Sequence, residues 1–178
     1  MQHWKYLGQE YGADVGIFRM RFDWVENPRN ASSLKAVVLE LPDWVNVVAI
    51  TPEGRIVLVD QYRFGIKAVT AEIPAGGIAH GEPPLHAAMR ELREETGYTS
   101  DDWTYLGNVE PNPAFQNNYC HQFVARNVRK THEPELDEGE AIHVREVTLD
   151  ALREEIRSGK FLNALGLLSL TRVFQIWE

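Results

Sequence analysis

Glu91, Glu94 and Glu95 are three glutamates within five residues of a segment with helical periodicity. If a helix begins at Pro83 and turns by about 100° per residue, the three carboxylates share one arc of its surface. A separate arc carries the apolar residues Leu85, Ala88, Met89 and Leu92. Carboxylates at this spacing repel one another, and Mg²⁺ prefers oxygen ligands of this kind. The arc is therefore a candidate metal site, although a solvated charged surface is the alternative for an arbitrary helix.

The spacing around this helix favours the metal site. Gly76 is followed by five residues and then by Glu82, and seven more residues precede the run Arg90–Tyr98, which reads Arg-Glu-Leu-Arg-Glu-Glu-Thr-Gly-Tyr. This pattern of 23 residues resembles the signature of the Nudix hydrolase family at its fixed positions, with Tyr98 a loose fit to the final apolar one. The resemblance implies a hydrolase that cleaves a diphosphate linked to another group.

The resemblance also implies roles for residues of the signature. It implies a metal site at the backbone carbonyl of Ala75 and at the side chains of Glu91, Glu94 and Glu95. Arg90 would orient the glutamates, Gly76 would let its loop approach the helix, and Glu82 would act at the helix start as a cap or a catalytic group. Mg²⁺ is the expected cofactor, with Mn²⁺ as its substitute. Such a metal neutralises diphosphate charge and lowers the pKa of an attacking water.

A second acidic segment, Leu136–Glu140, precedes the apolar residues from Ile142 onward. Related Nudix enzymes carry glutamates in this mobile loop, so the resemblance implies Glu138 as the general base and Glu140 as a metal-linked residue. A solvated acidic loop is the alternative. Glu94 and Glu140 also remain candidates for the base, because that role depends on the distance to the water.

Residues outside the signature favour one branch of the family. The segments Asp60–Arg63 and Glu72–Gly76, with Pro113 fifteen residues beyond Tyr98, resemble the ADP-ribose and nucleoside diphosphate sugar pyrophosphatases. We therefore expect substrate-binding roles for Arg63, Glu72, Gly76 and Pro113. The planar group of Arg63 matches phosphate oxygens, although a surface arginine at a strand end is the alternative. ADP-ribose would yield AMP and ribose 5-phosphate, and GDP-mannose is another credible substrate.

Two other functions fit the same residues. A nucleoside triphosphate pyrophosphatase uses the same signature, but such enzymes tend to be shorter and to lack an N-terminal extension. A nucleotide-sugar sensor without turnover is the second alternative. Sensors of this kind usually lose signature glutamates, and none is missing from this sequence.

The elements that must position these residues are strands and helices in a mixed order. Alternating apolar residues predict strands at 14–25, 34–41, 46–50, 56–62, 68–73, 104–109, 119–125 and 142–148. Helices are predicted at 83–96, followed by Gly97, at 149–158 and at 164–177. With the resemblance, this order predicts an α/β fold, a Nudix α/β/α sandwich with a mixed sheet and an N-terminal β-strand extension. We expect residues 1–42 to form the extension, which builds a homodimer in similar enzymes, and residues 43–178 to form the hydrolase domain.

The composition excludes several classes of protein. A formal net charge of -8 argues against a nucleic-acid-binding protein, which needs a basic surface. The single cysteine, Cys120, cannot form an intrachain disulfide. No apolar run approaches the roughly 18 residues of a membrane helix, and the N-terminus lacks a signal-peptide pattern. We therefore expect a cytoplasmic protein that does not enter a membrane.

Overall fold

The computed structural model describes residues 3–177, which form two compact units. The smaller unit contains the chain up to Asp43 together with Glu110–Tyr119. The larger unit contains Trp44–Val109 and the chain from Cys120 onward. Within residues 3–177, no helix is both long enough and apolar enough to cross a membrane.

The smaller unit contains a three-stranded antiparallel sheet. Its strands, in spatial order, are β1 (Lys5–Asp14), β2 (Arg19–Glu26) and β3 (Ser33–Glu40). Glu40 links β3 to β2, because its carboxylate accepts hydrogen bonds from Arg19 at 2.7 Å and from Arg21 at 2.5 Å. These bonds lie at the end of the register in which Arg19 pairs with Glu40.

The first predicted strand, at 14–25, is wrong at its start, because β2 begins only at Arg19. Asp14 instead ends β1, and its carboxylate accepts a hydrogen bond at 3.0 Å from the N–H of Gly16, whose φ is 84°. Glycine adopts this left-handed conformation readily and turns the chain. Val15 and Ile17 therefore lie in the connection between two strands. The predicted partner strand is confirmed as β3.

The larger unit is built around a seven-stranded sheet. In chain order its elements are β4 (Trp44–Ile50), β5 (Ile56–Arg63), β6 (Ala68–Glu72), β7 (Ala75–Gly77), α1 (Pro84–Thr96), β8 (Tyr98–Thr99), β9 (Asp102–Val109), β10 (Cys120–Arg126), β11 (Arg129–Lys130), β12 (Ile142–Val147), α2 (Leu149–Arg157) and α3 (Ala164–Thr171). Five strands lie in the order β12-β5-β4-β10-β9, with β6 beside β5 and β7 beside β4. Since β4 and β10 are parallel and the other pairs are antiparallel, the predicted mixed sheet is confirmed.

Helices cover both faces of this sheet. Successive side chains of a strand point to opposite faces. Along β4, Val45 and Val47 belong to a buried cluster with Ala88 and Leu92 of α1. Val48 belongs to a second buried cluster, which includes residues of α2 and α3. The larger unit therefore has the α/β/α layers that the sequence predicted.

Helix α1 ends at its predicted position. Gly97 follows the helix with a φ of 75° and donates its N–H to the Arg93 carbonyl at 2.7 Å. The Gly97 carbonyl accepts hydrogen bonds from the N–H groups of Thr131 and His132 at 3.0 and 3.1 Å. A Cβ on Gly97 would lie 2.1 Å from the His132 carbonyl oxygen. Glycine is therefore required for the segment after β11 to close against the end of α1.

The last helix, α3, is shorter than predicted. It ends at Thr171, and Arg172 donates its N–H to the carbonyl of Ser169, three residues earlier. Such three-residue bonds are tighter than those of an α-helix and commonly mark its end. The chain beyond the helix brings Ile176 into the core, where 1% of its surface is exposed.

We predict that Gly97→Ala destabilises the fold more than Gly54→Ala. Both glycines have a φ of 75°, but a Cβ on Gly54 meets no atom within 4 Å. The free energy of unfolding of the Gly54 variant should therefore fall only by the cost of placing alanine in a left-handed backbone conformation, about 1–2 kcal/mol. The Gly97 variant should lose roughly 1–3 kcal/mol more, because its Cβ strikes a backbone carbonyl. Urea unfolding measures both free energies, and equal losses would contradict the packing of the His132 segment.

Candidate active site

Two glutamates of α1 lie beside the short strand β7. Glu95 is buried, with 3% of its surface exposed, and its Oε2 accepts a hydrogen bond from the Ala75 N–H at 3.1 Å. Gly76 lies against Glu91, since a Cβ on Gly76 would be 2.1 Å from the Glu91 Cδ. The missing side chain at Gly76 therefore leaves the space that the Glu91 carboxylate occupies.

The charged forms of both carboxylates are disfavoured. Burial, reinforced by the charges of Glu91 and Glu140, raises the pKa of Glu95 to about 8, against the opposing effect of the Ala75 N–H. Burial also raises the pKa of Glu91, and the charges of Glu94 and Glu140 act in the same direction. A bound cation would favour the charged forms instead. Near pH 7 it would have to displace a proton from Glu95.

Arg90 joins the turn before α1 to the glutamates on the helix. Its Nε and Nη2 donate to the two carboxylate oxygens of Glu82 at 3.0 and 2.9 Å, and Nη2 also donates to the Gly77 carbonyl at 2.9 Å. Its Nη1 donates to Glu91 at 2.8 Å and to Glu94 at 3.1 Å. The side-chain hydrogen bond from Arg90 holds the pKa of Glu82 below its usual value. These contacts make Glu82 an anchor for Arg90, which in turn orients Glu91.

Arg93 connects α1 to the acidic loop. Its Nη1 donates to the Glu135 carboxylate at 3.1 Å, and its Nη2 donates to Glu94 at 3.3 Å. The Glu135 N–H donates to the Glu94 carbonyl at 2.8 Å. Arg93 and Glu135 were not predicted as site residues, because the signature leaves the position of Arg93 open and no local pattern marks Glu135.

The two loop glutamates differ in their surroundings. Glu140 acts on Glu91 and Glu95, since its charge contributes to the raised pKa of both. Its carboxylate also accepts a hydrogen bond from the Asp137 N–H at 3.1 Å. Glu138 is exposed, and no hydrogen bond or ion pair joins its side chain to residues 3–177. The structure therefore brings Glu140, but not Glu138, into electrostatic contact with the helix.

The donor atoms suit a hard divalent cation, although they do not form a closed cage. In the described chain, residues 3–177, no three His, Cys, Asp or Glu side chains are grouped closely enough to hold a metal ion. The Glu94 carboxylate bonds to Arg90 and Arg93 at 3.1 and 3.3 Å. Glu91 and Glu95 supply carboxylate oxygens beside the Ala75 backbone. Hard cations such as Mg²⁺ take a few such ligands and complete their shell with waters and phosphate.

A cavity of about 730 Å³ lies beside β7. Its wall includes four residues that the sequence analysis proposed for the site, namely Arg63, Glu72, Ala75 and Gly76. The volume is typical of a small-molecule site. Ala75 and Gly76 also contact Glu95 and Glu91, so this wall of the cavity adjoins both carboxylates. Pro113, the remaining predicted substrate residue, belongs to the smaller unit.

Glu72 is the centre of a hydrogen-bond network in the cavity wall. Its carboxylate accepts bonds from the Nε and Nη2 of Arg63 at 2.7 and 2.8 Å, from the Thr70 hydroxyl at 2.6 Å and from the Asn163 Nδ2 at 2.9 Å. Burial raises the pKa of Glu72, but the bonds from Arg63 and Thr70 outweigh it and leave the pKa below its ordinary value. Glu72 thus holds Arg63 in place and leaves the Arg63 Nη1 available for a ligand.

Asn163 ties helix α3 to the same network. Its Oδ1 accepts a hydrogen bond from the Gly166 N–H at 2.7 Å, which caps the helix, while its Nδ2 reaches Glu72. Asn163 also lines the cavity, with Leu162 and Leu165 beside it. Asn163 was not predicted as a site residue. An asparagine before an apolar helix signals an N-cap, but nothing local connects it to Glu72.

Comparisons with known proteins agree with this geometry. The family model described as NUDIX domain matches residues 41–165. The ADP-ribose pyrophosphatase of Bacillus subtilis is 38% identical over 157 residues, covering 85% of this chain and 84% of that protein. The methanol dehydrogenase activator of Bacillus methanolicus is 34% identical over 155 residues, covering 86% and 83%. The ADP-ribose pyrophosphatase of Mycobacterium tuberculosis is 30% identical over 167 residues, covering 90% and 78%.

A solved structure shows the same fold. It is described as the crystal structure of ADP compounds hydrolase, and it superimposes with a TM-score of 0.83 over 97% of this chain and 93% of that one, at 24% sequence identity. The mixed sheet between helices is therefore a known arrangement. Since the NUDIX model covers more than half of the chain and relatives match most of its length, the chain belongs to the Nudix hydrolase family, as its signature predicted.

Proposed function

We propose that this Nudix hydrolase is a Mg²⁺-dependent pyrophosphatase of nucleoside diphosphate sugars, with ADP-ribose as its main substrate and GDP-mannose and other sugar nucleotides as further ones. The observation that carries the proposal is the pair of Glu91, which is half-buried, and Glu95, which is buried, beside the wall of the cavity that contains Arg63. The names of the relatives from Bacillus subtilis and Mycobacterium tuberculosis support ADP-ribose as the substrate. Hydrolysis would yield AMP and ribose 5-phosphate.

Some residues of the site would bind the substrate, and others would hold the metal ion. Arg63, held by Glu72, would bind a phosphate or the sugar through its Nη1. Gly76 and Pro113 would also contact substrate, a role that for Pro113 rests on the sequence resemblance alone. Glu91, Glu94, Glu95, Glu140 and the Ala75 carbonyl would hold Mg²⁺, or Mn²⁺ in its place. When bound, the ion neutralises diphosphate charge and lowers the pKa of the attacking water.

We assign the general base to Glu138, with Glu94 and Glu140 as alternatives. Glu138 is exposed and has no bonded partner within residues 3–177, so its carboxylate can accept a proton from water. Glu94 bonds to two arginines, which compete for the lone pairs that a base needs. Arg90 would keep Glu91 in place during the reaction.

We predict that ADP-ribose gives the highest kcat/KM in a screen with GDP-mannose and dGTP, and that AMP is its product.

A chelator should abolish turnover, and Mg²⁺ or Mn²⁺ should restore it. Glu94→Gln and Glu95→Gln should each lower kcat by about 10²–10³-fold, because each removes a carboxylate that would hold the cation, and the cation stabilises the developing phosphate charge. Both variants should stay folded, since the folded state already favours an uncharged Glu95 at neutral pH.

The control for these variants is Glu154→Gln, which alters an exposed pair on α2 and should leave kcat unchanged. Full activity of both α1 variants would contradict the metal assignment. A preference for dGTP would indicate a nucleoside triphosphate pyrophosphatase instead. Tight binding of ADP-ribose without hydrolysis would indicate a sensor.

We further propose that residues 1–42 form a homodimer interface and that the enzyme acts in the cytoplasm. The sheet of the smaller unit exposes many large apolar side chains, including Tyr6, Tyr11, Trp24, Leu34 and Val37. Exposed patches of this kind commonly mark an interface between subunits. The one cysteine of the sequence, Cys120, is buried and cannot form an intrachain disulfide, which fits a cytoplasmic location.

We predict a mass in light scattering of twice the 20.3 kDa of one chain. Val37→Lys should shift the protein to monomer, because it places a charge on the exposed face of β3. Trp177→Lys, which alters an exposed apolar residue of the larger unit, is the matched control and should stay dimeric. A monomeric wild-type protein would refute the interface.

A further inference from the structure

Gln122 is a buried polar residue whose side chain has no partner. It lies on the central strand β10 with 0% of its surface exposed. Within residues 3–177, neither its Oε1 nor its Nε2 has a hydrogen-bond partner. Two residues further along the same strand and on the same face is Val124, a member of the core cluster. An apolar side chain would therefore suit the position of Gln122 better than an amide.

An amide in this position destabilises the fold unless something bonds to it. Nearly all buried polar groups in folded proteins have partners, and an unpartnered one loses its bonds to water without replacement. Residues that lower stability in this way are typical of binding sites, where a ligand completes the bonds. This explanation applies to Gln122 only if the residue lies close to the cavity.

Asn46 connects Gln122 to the cavity. The strands β10 and β4 are parallel, and Gln122 pairs with Asn46 in their register. The two side chains therefore share one face of the sheet, about 5 Å apart. Asn46 is 4% exposed and lines the cavity. Asn46 and Gln122, together the amide pair, thus place hydrogen-bonding groups in the cavity wall and directly behind it.

The other neighbour of Asn46 is Ala75. Strand β7 runs beside β4 with Asn46 paired to Ala75, whose N–H bonds to Glu95. The amide of Asn46 is therefore about one strand spacing, roughly 5 Å, from the backbone at the candidate metal site. In a nucleoside diphosphate sugar, the groups at this distance from the diphosphate are sugar hydroxyls. The base lies farther away, because the ribose stands between it and the diphosphate.

We propose that the amide pair is a subsite for a sugar hydroxyl next to the diphosphate. Asn46 contacts the hydroxyl, which can both donate and accept a hydrogen bond, as the amide can. Gln122 is a positioning residue: its amide, which has no partner among residues 3–177, turns to bond to Asn46 when the hydroxyl binds and so fixes the orientation of the Asn46 amide. This inference rests on the proposed function, since it takes the ligand in the cavity to be a sugar linked to a diphosphate.

The test replaces each amide with an apolar residue of similar shape, in Asn46→Leu and Gln122→Met. Gln122→Met should melt at higher temperature than the wild type, because it removes a buried amide that has no partner among residues 3–177. Both variants should raise the KM for ADP-ribose about tenfold with kcat unchanged, because a tenfold loss of affinity corresponds to the loss of one good hydrogen bond. Gln122→Met should add nothing in the Asn46→Leu background, because Gln122 acts through Asn46. Val124→Ile, on the same face of β10, is the control and should leave the KM unchanged.

Analogues of ADP-ribose that each lack one ribose hydroxyl identify the group that is bound. One of these analogues should have a higher KM than ADP-ribose with the wild-type enzyme. The Asn46→Leu variant should not raise the KM of that analogue further. Calorimetry with ribose 5-phosphate separates this inference from the proposed function, since it measures binding even if ADP-ribose is not hydrolysed. An unchanged KM and unchanged ribose 5-phosphate affinity in both variants would overturn the subsite. Lower melting temperatures with unchanged KM would assign the amides a structural role instead.

Discussion

The cost of charging two carboxylates that are held against β7 is the constraint on which the rest of the site depends. Glu91 and Glu95 lie against β7, where Glu91 is half-buried and Glu95 is buried, and desolvation raises the pKa of both. Three features keep them there: the missing side chain at Gly76, the Ala75 N–H that bonds to Glu95, and the Arg90 guanidinium that bonds to Glu91. None of these neutralises both charges. A bound cation would favour the charged form of both carboxylates, and in this way it would couple the fold to its chemistry.

Glu72 and Glu95 show how one protein uses two equally buried carboxylates in opposite ways. Each has 3% of its surface exposed. Glu72 has Arg63 bonded to both oxygens, so its pKa falls and it stays charged, whereas Glu95 has only a backbone N–H and its pKa rises. Glu72 thus serves as a fixed anchor that aligns Arg63 and the start of α3. Glu95 keeps an oxygen for a ligand. The difference lies in the partners and not in the burial.

The sequence predicted those features that are encoded locally. The apolar periodicity, Pro84 and Gly97 located α1, and the spacing from Gly76 to Tyr98 identified the family. Features that depend on residues far apart in the chain escaped it. Arg93 meets Glu135 across 42 positions, and Asn163 meets Glu72 across 91. The predicted strand at 14–25 failed for another reason, since alternating apolar residues continue through the turn at Gly16 and conceal it.

The central claim is that Glu91 and Glu95 hold a divalent cation at the cavity wall. Anomalous diffraction from crystals soaked in Mn²⁺ and AMP measures this most directly, because manganese scatters anomalously and substitutes for magnesium. The account predicts an anomalous peak within bonding distance of a carboxylate oxygen of Glu91 or Glu95, with the AMP phosphate beside it. Ordered AMP in the cavity, with saturating Mn²⁺ and no peak near either carboxylate, would contradict the account.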